Sequence, residues 1–341
     1  MQKKITEPTD LLNKHGELIQ TGYATTPLLK YNRKDVTRKG RLKEWDYYMI
    51  NNESYAFALT VGYSAGYLLI SISIIDFINR TEQSKSVIKH VHNWYLPESS
   101  QIGDILYKDV RTDLKIIHKG RDRGIFLYLD DFLPDSALTA SISLSKEPKD
   151  SMVIATPFKE NKKYFYYNQK IVGMSALGSV SIKGSVYNFD TSNSFGLLDW
   201  GRGVWPYKTT WYWSSAFDFL VNNTFGFNLG YGFGDTSNAT ENMLFFNGIA
   251  NKLDQVDFGI SKKFKNKYDY TKPWNFTSSD NRITMTFEPI YDRNLTLYAV
   301  LFSTRQHQVF GKFSGTAVLD DGRTVYLNNL LGFAERVVNR W

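Results

Sequence analysis

The residues best equipped for chemistry lie between Leu198 and Ser215. That stretch holds Trp200, Trp205, Trp211 and Trp213, half of the chain's eight tryptophans, with Asp199 and Arg202 three apart across Gly201. A guanidinium holds a carboxylate through two parallel hydrogen bonds. Asp199 and Arg202 therefore read either as an ion pair that clamps a turn, or as a working pair. In the second case Arg202 grips an anionic substrate group and Asp199 acts as acid or base. Trp205, Trp211 and Trp213 read either as core or as walls of a ligand site, and in a strand Trp211 and Trp213 share one face. Glu241, set among Ser237, Asn238, Thr240 and Asn242, is the second candidate carboxylate, and nearby Asp235 is a turn residue or a ligand contact. If Asp199 and Glu241 face one cavity, unequal surroundings would make one the acid and the other the base. Paired carboxylates beside tryptophans would equally serve a glycosidase.

His90 and His92 are two apart, so a strand would point both to one face. They fit three roles: part of a metal site needing a distant third ligand such as His307 or Glu241, proton transfer through His92, or structure alone. His307 with Gln308 offers hydrogen bonds into a pocket, and Trp45 and Tyr207 offer further rings. The chain has no cysteine, which excludes disulfides, thiolate metal sites and a cysteine nucleophile. No serine-nucleophile elbow, phosphate loop or helical metal motif is visible. No cofactor is implied.

The elements that must position these residues are strands. Tyr55, Phe57, Leu59, Val61 and Tyr63 alternate with small residues, and Ile70, Ile72 and Ile74 alternate with Ser71 and Ser73 beyond a Ser64-Ala65-Gly66 turn. Further strands are predicted at 114–117, 124–129, 138–144, 164–167, 180–186, 283–287, 295–302, 315–319 and 324–327, the last after an Asp321-Gly322 hairpin turn. Phe225, Phe227, Leu229, Tyr231 and Phe233 alternate with Gly226, Asn228, Gly230, Gly232 and Gly234. That gives one bulky face and one nearly bare face, open to close approach by a backbone, a large side chain or a ligand. A polar segment over 9–43 reads as turns and loop, and 146–157 reads as a linker. No long helical period appears. The class is all-β: two lipocalin-like β-barrel or β-sandwich halves, 1–150 and 151–341, packed around a shared aromatic-rich cleft. The second half carries the tryptophan-rich site.

The 341 residues are 42% hydrophobic and 16% aromatic, enough to build real cores. The net charge of +7 gathers in 30–43 and 262–272, which read as solvated basic loops. No nucleic-acid motif accompanies them, so a nucleic-acid partner is not expected. The first ten residues lack the apolar run of a signal peptide, and the most apolar stretch, 67–78, is too short to span a bilayer as a helix. The expectation is a cytoplasmic protein with a small-molecule ligand and no membrane partner.

A set of longer motifs accompanies the tryptophan stretch. They are Lys43-Glu44-Trp45-Asp46-Tyr47-Tyr48, His90-Val91-His92-Asn93, Asn228-Leu229-Gly230 with Gly232-Phe233-Gly234-Asp235, Ala239-Thr240-Glu241-Asn242, Gln308-Val309-Phe310-Gly311 with Phe313-Ser314-Gly315, and Gly332-Phe333-Ala334-Glu335. With Leu198–Tyr207 they make the chain resemble the bacterial "domain of unknown function 2804" family over nearly its full length. Asp199 to Gly203 with Trp211 and Trp213 is more distantly similar to the lipocalin-like superfamily of carotenoid hydratases and tocopherol cyclases. That similarity implies two barrel-like domains and a buried pocket for a lipophilic or polycyclic molecule.

The expected function is an enzyme of a small, largely apolar organic substrate, isoprenoid- or polyketide-like, using non-redox acid catalysis for hydration, cyclisation or isomerisation. Asp199 and Glu241 are the expected acid and base, Arg202 the anchor, and Trp205, Trp211 and Trp213 the walls. The alternatives are a carbohydrate-active enzyme of hydrolase or lyase type, or a non-catalytic carrier.

Overall fold

The computed structural model describes residues 2–263, 267–298 and 303–340. It is built of two large sheets, almost wholly antiparallel. Along the first run Thr81–His90, Tyr67–Asp76, Tyr55–Ser64, Leu42–Asn51, Phe195–Val204, Asn161–Ile182, Ser136–Ser145, Asp122–Leu133, Thr112–Lys119 and Ile105–Lys108. This sheet curls until its two ends approach, where Lys89 on the first strand meets Asp109 at 3.0 Å, just past the last strand. Along the second run Ile249–Lys252, Met243–Phe246, Asn223–Tyr231, Lys208–Leu220, Thr324–Arg340, Ser303–Val318, Ile283–Tyr298, Trp274–Ser278 and Val256–Asp257. Its two edge strands are joined by residues 253–255 alone. Each sheet is thus a curled half-barrel, as the alternating pattern leads one to expect.

Two corrections to the sequence reading follow. Met152–Phe158 and Asn161–Ile182 pair within the first sheet, so 146–157 is not a linker between halves. The chain changes sheet at 205–207, between Phe195–Val204 and Lys208–Leu220. Lys-Glu-Pro-Lys-Asp resembles a boundary because it is polar and carries proline, but here it only turns the chain between neighbouring strands. The predicted strand 295–302 is seen as far as Tyr298; 299–302, and 264–266 of the basic run, lie outside the described residues.

Strand alternation makes three cores. Even-numbered residues of Leu42–Asn51 and Phe195–Val204, such as Tyr48, Leu198 and Trp200, point into the first half-barrel with Phe57, Leu59, Ile70 and Ile72. Phe225, Phe227, Leu229, Trp274, Phe276 and Phe313 fill the second. The opposite faces meet in a third core between the sheets, with Tyr47, Tyr166, Trp205, Trp213, Phe233, Phe310 and Phe333. The bare glycine face lies here. At Gly226 a Cβ would stand 2.6 Å from the Phe217 ring, and at Gly230 2.4 Å from Glu241 Oε1, so the missing side chains make room for large ones from neighbouring segments.

A β-bulge decides which residues of the longest first-sheet strand face the third core. Between Val172 and Met174 the register slips at Gly173, whose φ is +94° and against which the Phe217 ring packs. Before it Tyr166 and Val172 face the other sheet; after it Met174 and Ala176 fill the first half-barrel. Lys170 is thereby aimed between the sheets.

Candidate functional site

Asp199 and Arg202 do not pair. Three residues apart on a strand they point to opposite faces. Arg202 is fully buried in the first half-barrel. There Nη1 donates to Asp46 Oδ1 at 2.9 Å and to the carbonyls of Trp45 and Gly201 at 2.8 Å, and Nη2 donates to the Pro97 carbonyl at 2.8 Å. Its Nε lies 3.6 Å from Glu44, which also takes Arg33 at 2.9 Å and the Tyr31 hydroxyl at 2.8 Å. This network of charges is structural, and Arg202 does not reach the inter-sheet face. Arg202→Lys, which keeps the charge but not the planar fork, should cost about 1–3 kcal/mol in urea unfolding. It should leave binding between the sheets unchanged.

Asp199 faces the second sheet. Its Oδ2 meets Lys170 Nζ at 3.0 Å, and Asn168 Nδ2 donates to Oδ1 at 2.6 Å. Lys170 sits directly across the ladder from Asp199, and its ammonium lies 3.9 Å from the centre of the Trp213 ring. The indole N–H of Trp213 donates to Asn228 Oδ1 at 2.7 Å, and Asn228 Nδ2 to the Glu241 carbonyl at 2.8 Å. Glu241 packs against Gly230, its Oε2 buried without a hydrogen-bond partner among the described residues. Glu335, opposite Trp213 on the ladder, accepts from Trp211 Nε1 at 3.0 Å and from Gln306 Nε2 at 3.3 Å.

Three carboxylates therefore surround one lysine out of water: Asp199, Glu241 and Glu335 are 7, 7 and 4% exposed. Burial favours the neutral acid, and like charges nearby add to this. Burial is the main reason Glu335 is pushed up to about 7, with the Asp199 charge adding and Trp211 and Lys170 opposing. Burial likewise raises Glu241, with Lys170 opposing and Asp199 adding. Tyr166 lies in the field of all three carboxylates, which together with burial hold its phenol far above the usual range. Beneath the cluster Arg293 bridges the sheets, donating to Gln308 Oε1 at 3.0 Å, Ser73 Oγ at 2.7 Å and Glu82 Oε1 at 2.8 Å.

The remaining sequence candidates divide. Trp205, Trp211 and Trp213 all line the inter-sheet space, the last two on one face as their spacing requires. Trp45 stacks on Tyr166 and meets Trp205 edge-on at 5.4 Å. Asp235 is at a turn, its N–H bonded to the Pro157 carbonyl. Tyr207 is half exposed where the chain passes between sheets. His90 ends the edge strand Thr81–His90 of the first sheet and His92 follows it in a bend; their rings are 4.6 Å apart, both residues exposed. His307 points into the mouth of the second half-barrel, stacked 3.9 Å on Tyr270 and bound to Asp292 at 2.9 Å; its neighbour Gln308 faces the sheets' interface. Among the described residues no group of three His, Asp or Glu is placed to hold a metal ion, and no helix is long and apolar enough to cross a membrane.

Lys170, Glu335, Asn168, Asn228 and Tyr166 were not singled out from the sequence. A usable signal existed. Asn168-Gln169-Lys170 interrupts the apolar stretch from Tyr164 to Val172, and Glu335-Arg336 interrupts a run from Leu330 to Val338.

An open pocket of about 380 Å³ lies at the rim of the interface, lined in part by Phe158, Lys159, Thr209, Gly232, Gly234 and Asp235.

Fold and site together define a two-sheet β protein with a charged, aromatic-walled centre between curled half-barrels. The chain belongs to the family described as "Domain of unknown function (DUF2804)", which it matches over residues 2–341. No curated protein matches it. Among solved structures it is similar to a putative AttH from Nitrosomonas europaea, with TM-score 0.55 and 11% identity, covering 88% of this chain and 92% of that one. A second similarity is to kievitone hydratase from Nectria haematococca, with TM-score 0.46, 9% identity and 98% of both chains covered. The first of these shows a shared fold.

Proposed function

We propose that the protein is an enzyme that moves protons on a small, largely apolar organic molecule held between the two sheets. One observation carries this reading: Asp199, Glu241 and Glu335 are buried around a single lysine inside an aromatic box, and Glu335 is pushed up to about 7. Carboxyl groups with proton affinities displaced toward neutrality are suited to general acid–base work. Both half-barrel interiors are filled by side chains, and the pocket of about 380 Å³ opens at the rim of the interface, which supports a ligand entering there.

In this reading protonated Glu335 is the acid. In a hydration its proton adds to one alkene carbon and water adds to the other, the water's surplus proton passing to Glu241 or back to Glu335. Trp211 offers a ring to a developing cation, whereas the Trp213 face is taken by the Lys170 ammonium at 3.9 Å, and Asp199, held by Lys170 and Asn168, fixes the local charge. Cyclisation or isomerisation would use the same donor and acceptor. Arg202, expected as the anchor, has no part.

Thermal-shift screening of wild type and Glu335→Gln against isoprenoid-like lipids and sugars tests the reading. A ligand at 100 times its Kd should add about 2.7 kcal/mol of stability. Lipid hits bound by both proteins and converted only by wild type are expected. Hits confined to sugars would replace this reading with a carbohydrate-active one, and binding without turnover in either protein would leave a carrier.

A further inference from the structure

Between the rim pocket and the buried carboxylates lies a cluster of rings with Phe233 at its centre. Phe233 stands in a cage of four rings, all edge-to-face: Phe158 at 5.2 Å, Tyr166 at 4.8 Å, Trp205 at 5.3 Å and Trp211 at 5.4 Å. Phe158 on one side lines the pocket. Trp211 on the other holds Glu335, and Tyr166 lies in the field of the carboxylates. Phe233 is therefore a stopper between the two spaces.

Its backbone is a glycine-flanked bend outside the strand. Gly232 and Gly234 flank it at φ +87° and +78°, and both line the pocket. The three residues lie between Asn223–Tyr231, where pairing to the neighbouring strand ends, and Asp235, whose N–H is anchored to the Pro157 carbonyl at 2.7 Å. Among the described residues no loop hydrogen bond holds the backbone of 232–234.

The space around the stopper is also chemically unfinished. Trp205 Nε1 and Glu241 Oε2 are buried with no partner, as is the hydroxyl of Thr209, which lines the pocket and is itself more than nine-tenths buried. Buried polar atoms are nearly always satisfied. Three unsatisfied ones along one path are what a ligand bearing oxygen would complete.

We infer that Gly232-Phe233-Gly234 is a hinged gate, and that Phe233 occupies the place of the substrate's ring. When it swings out, the pocket of about 380 Å³ joins the carboxylate site, and a ring-bearing molecule with a hydroxyl or carbonyl enters the vacated cage. The ring takes up the edge-to-face contacts, and the oxygen takes the Trp205 N–H or the Thr209 hydroxyl. This rests on the reading that the substrate is converted at these carboxylates, and specifies its class: a cyclic apolar body with one polar oxygen, not an extended sugar.

The experiment uses 2-naphthol, a two-ring alcohol, and reads its Kd by quenching of tryptophan fluorescence. Phe233→Ala, which leaves the cage empty, should bind at least tenfold more tightly than wild type, with Phe233→Leu in between. A folded Phe233→Ala that binds no more tightly than wild type overturns the gate. If the alanine variant does not fold, amide hydrogen exchange of wild type decides. Naphthol should change the protection of 231–235, and unchanged exchange at saturating naphthol overturns the proposal. Naphthol binding needs no turnover. The gate can thus fail while Glu335→Gln still abolishes activity, and it can stand while Glu335→Gln proves harmless, so the two failures are distinguishable.

Discussion

Lys170→Met should destabilise the protein by about 3–5 kcal/mol, the usual cost of removing one partner from a buried ion pair. The cause is local. Lys170 is 3% exposed, and Asp199 keeps only Asn168 among its side-chain partners once the ammonium is gone. Glu241 and Glu335 also lose the opposing charge that Lys170 supplies to both. The loss would be read by urea unfolding at neutral pH. Lys170→Met combined with Asp199→Asn should recover much of it, since no uncompensated charge then remains in the interface. A loss below about 1 kcal/mol, as seen for solvent-exposed pairs, would mean that water reaches this cluster in solution.

Glu335→Gln should change how stability depends on pH. The folded-state value of about 7 lies above the usual 4.5, so the native protein holds this proton more tightly than the unfolded chain does. The stability linked to it is fully present below about pH 4.5 and is lost as pH rises toward and through 7. Each tenfold in proton affinity is worth ~1.4 kcal/mol, so the loss from Glu335 is about 3 kcal/mol. Glu241, raised in the same direction, acts with the same sign. Across pH 5 to 8 the wild type should lose stability against Glu335→Gln, whose amide does not titrate. Parallel melting curves would show that Glu335 is solvated. Turnover should also fall in wild type above pH 7, where the acid has lost its proton. Below pH 7 it should be 10²-fold or more lower in Glu335→Gln, the difference narrowing as pH rises through 7.

Much of this architecture could be read from alternation. The face Phe57-Leu59-Val61, the Ser64-Ala65-Gly66 turn and the bare glycine face of 226–230 each name their environment directly, because side chains on a strand have only two directions. Phe233, expected on the bulky face with Phe225 and Phe227, lies past the strand's end at Tyr231 and enters the core between the sheets instead. The site was legible where it shared that logic: Trp211 and Trp213 on one face, and Asp199 and Glu241 brought within each other's field. Arg202 was misjudged because nearness in sequence suggested a pair, whereas three steps along a strand change sides. Lys170 was hidden by the bulge at Gly173, a two-against-one pairing visible only once the partner strand Phe195–Val204 is known. Glu335 comes from a strand 136 positions away from Asp199, and no local pattern links them. His90 and His92 lie outside because the strand that their spacing suggested ends at His90, on the edge of the first sheet.

The strand Phe195–Val204 has a consequence for how this chain can change over generations. It carries two polar systems back to back: Asp199 serves the space between the sheets, while Trp200 and Arg202 serve the inside of the first half-barrel. Substitutions can retune either system alone. A gain or loss of one residue between them cannot, because every residue on one side of it would change face, turning either Arg202 toward the tryptophans or Asp199 into the first half-barrel. Length variation should therefore be tolerated at the turns around this strand and purged within it, leaving these ten positions a fixed ruler against which the rest of the molecule drifts.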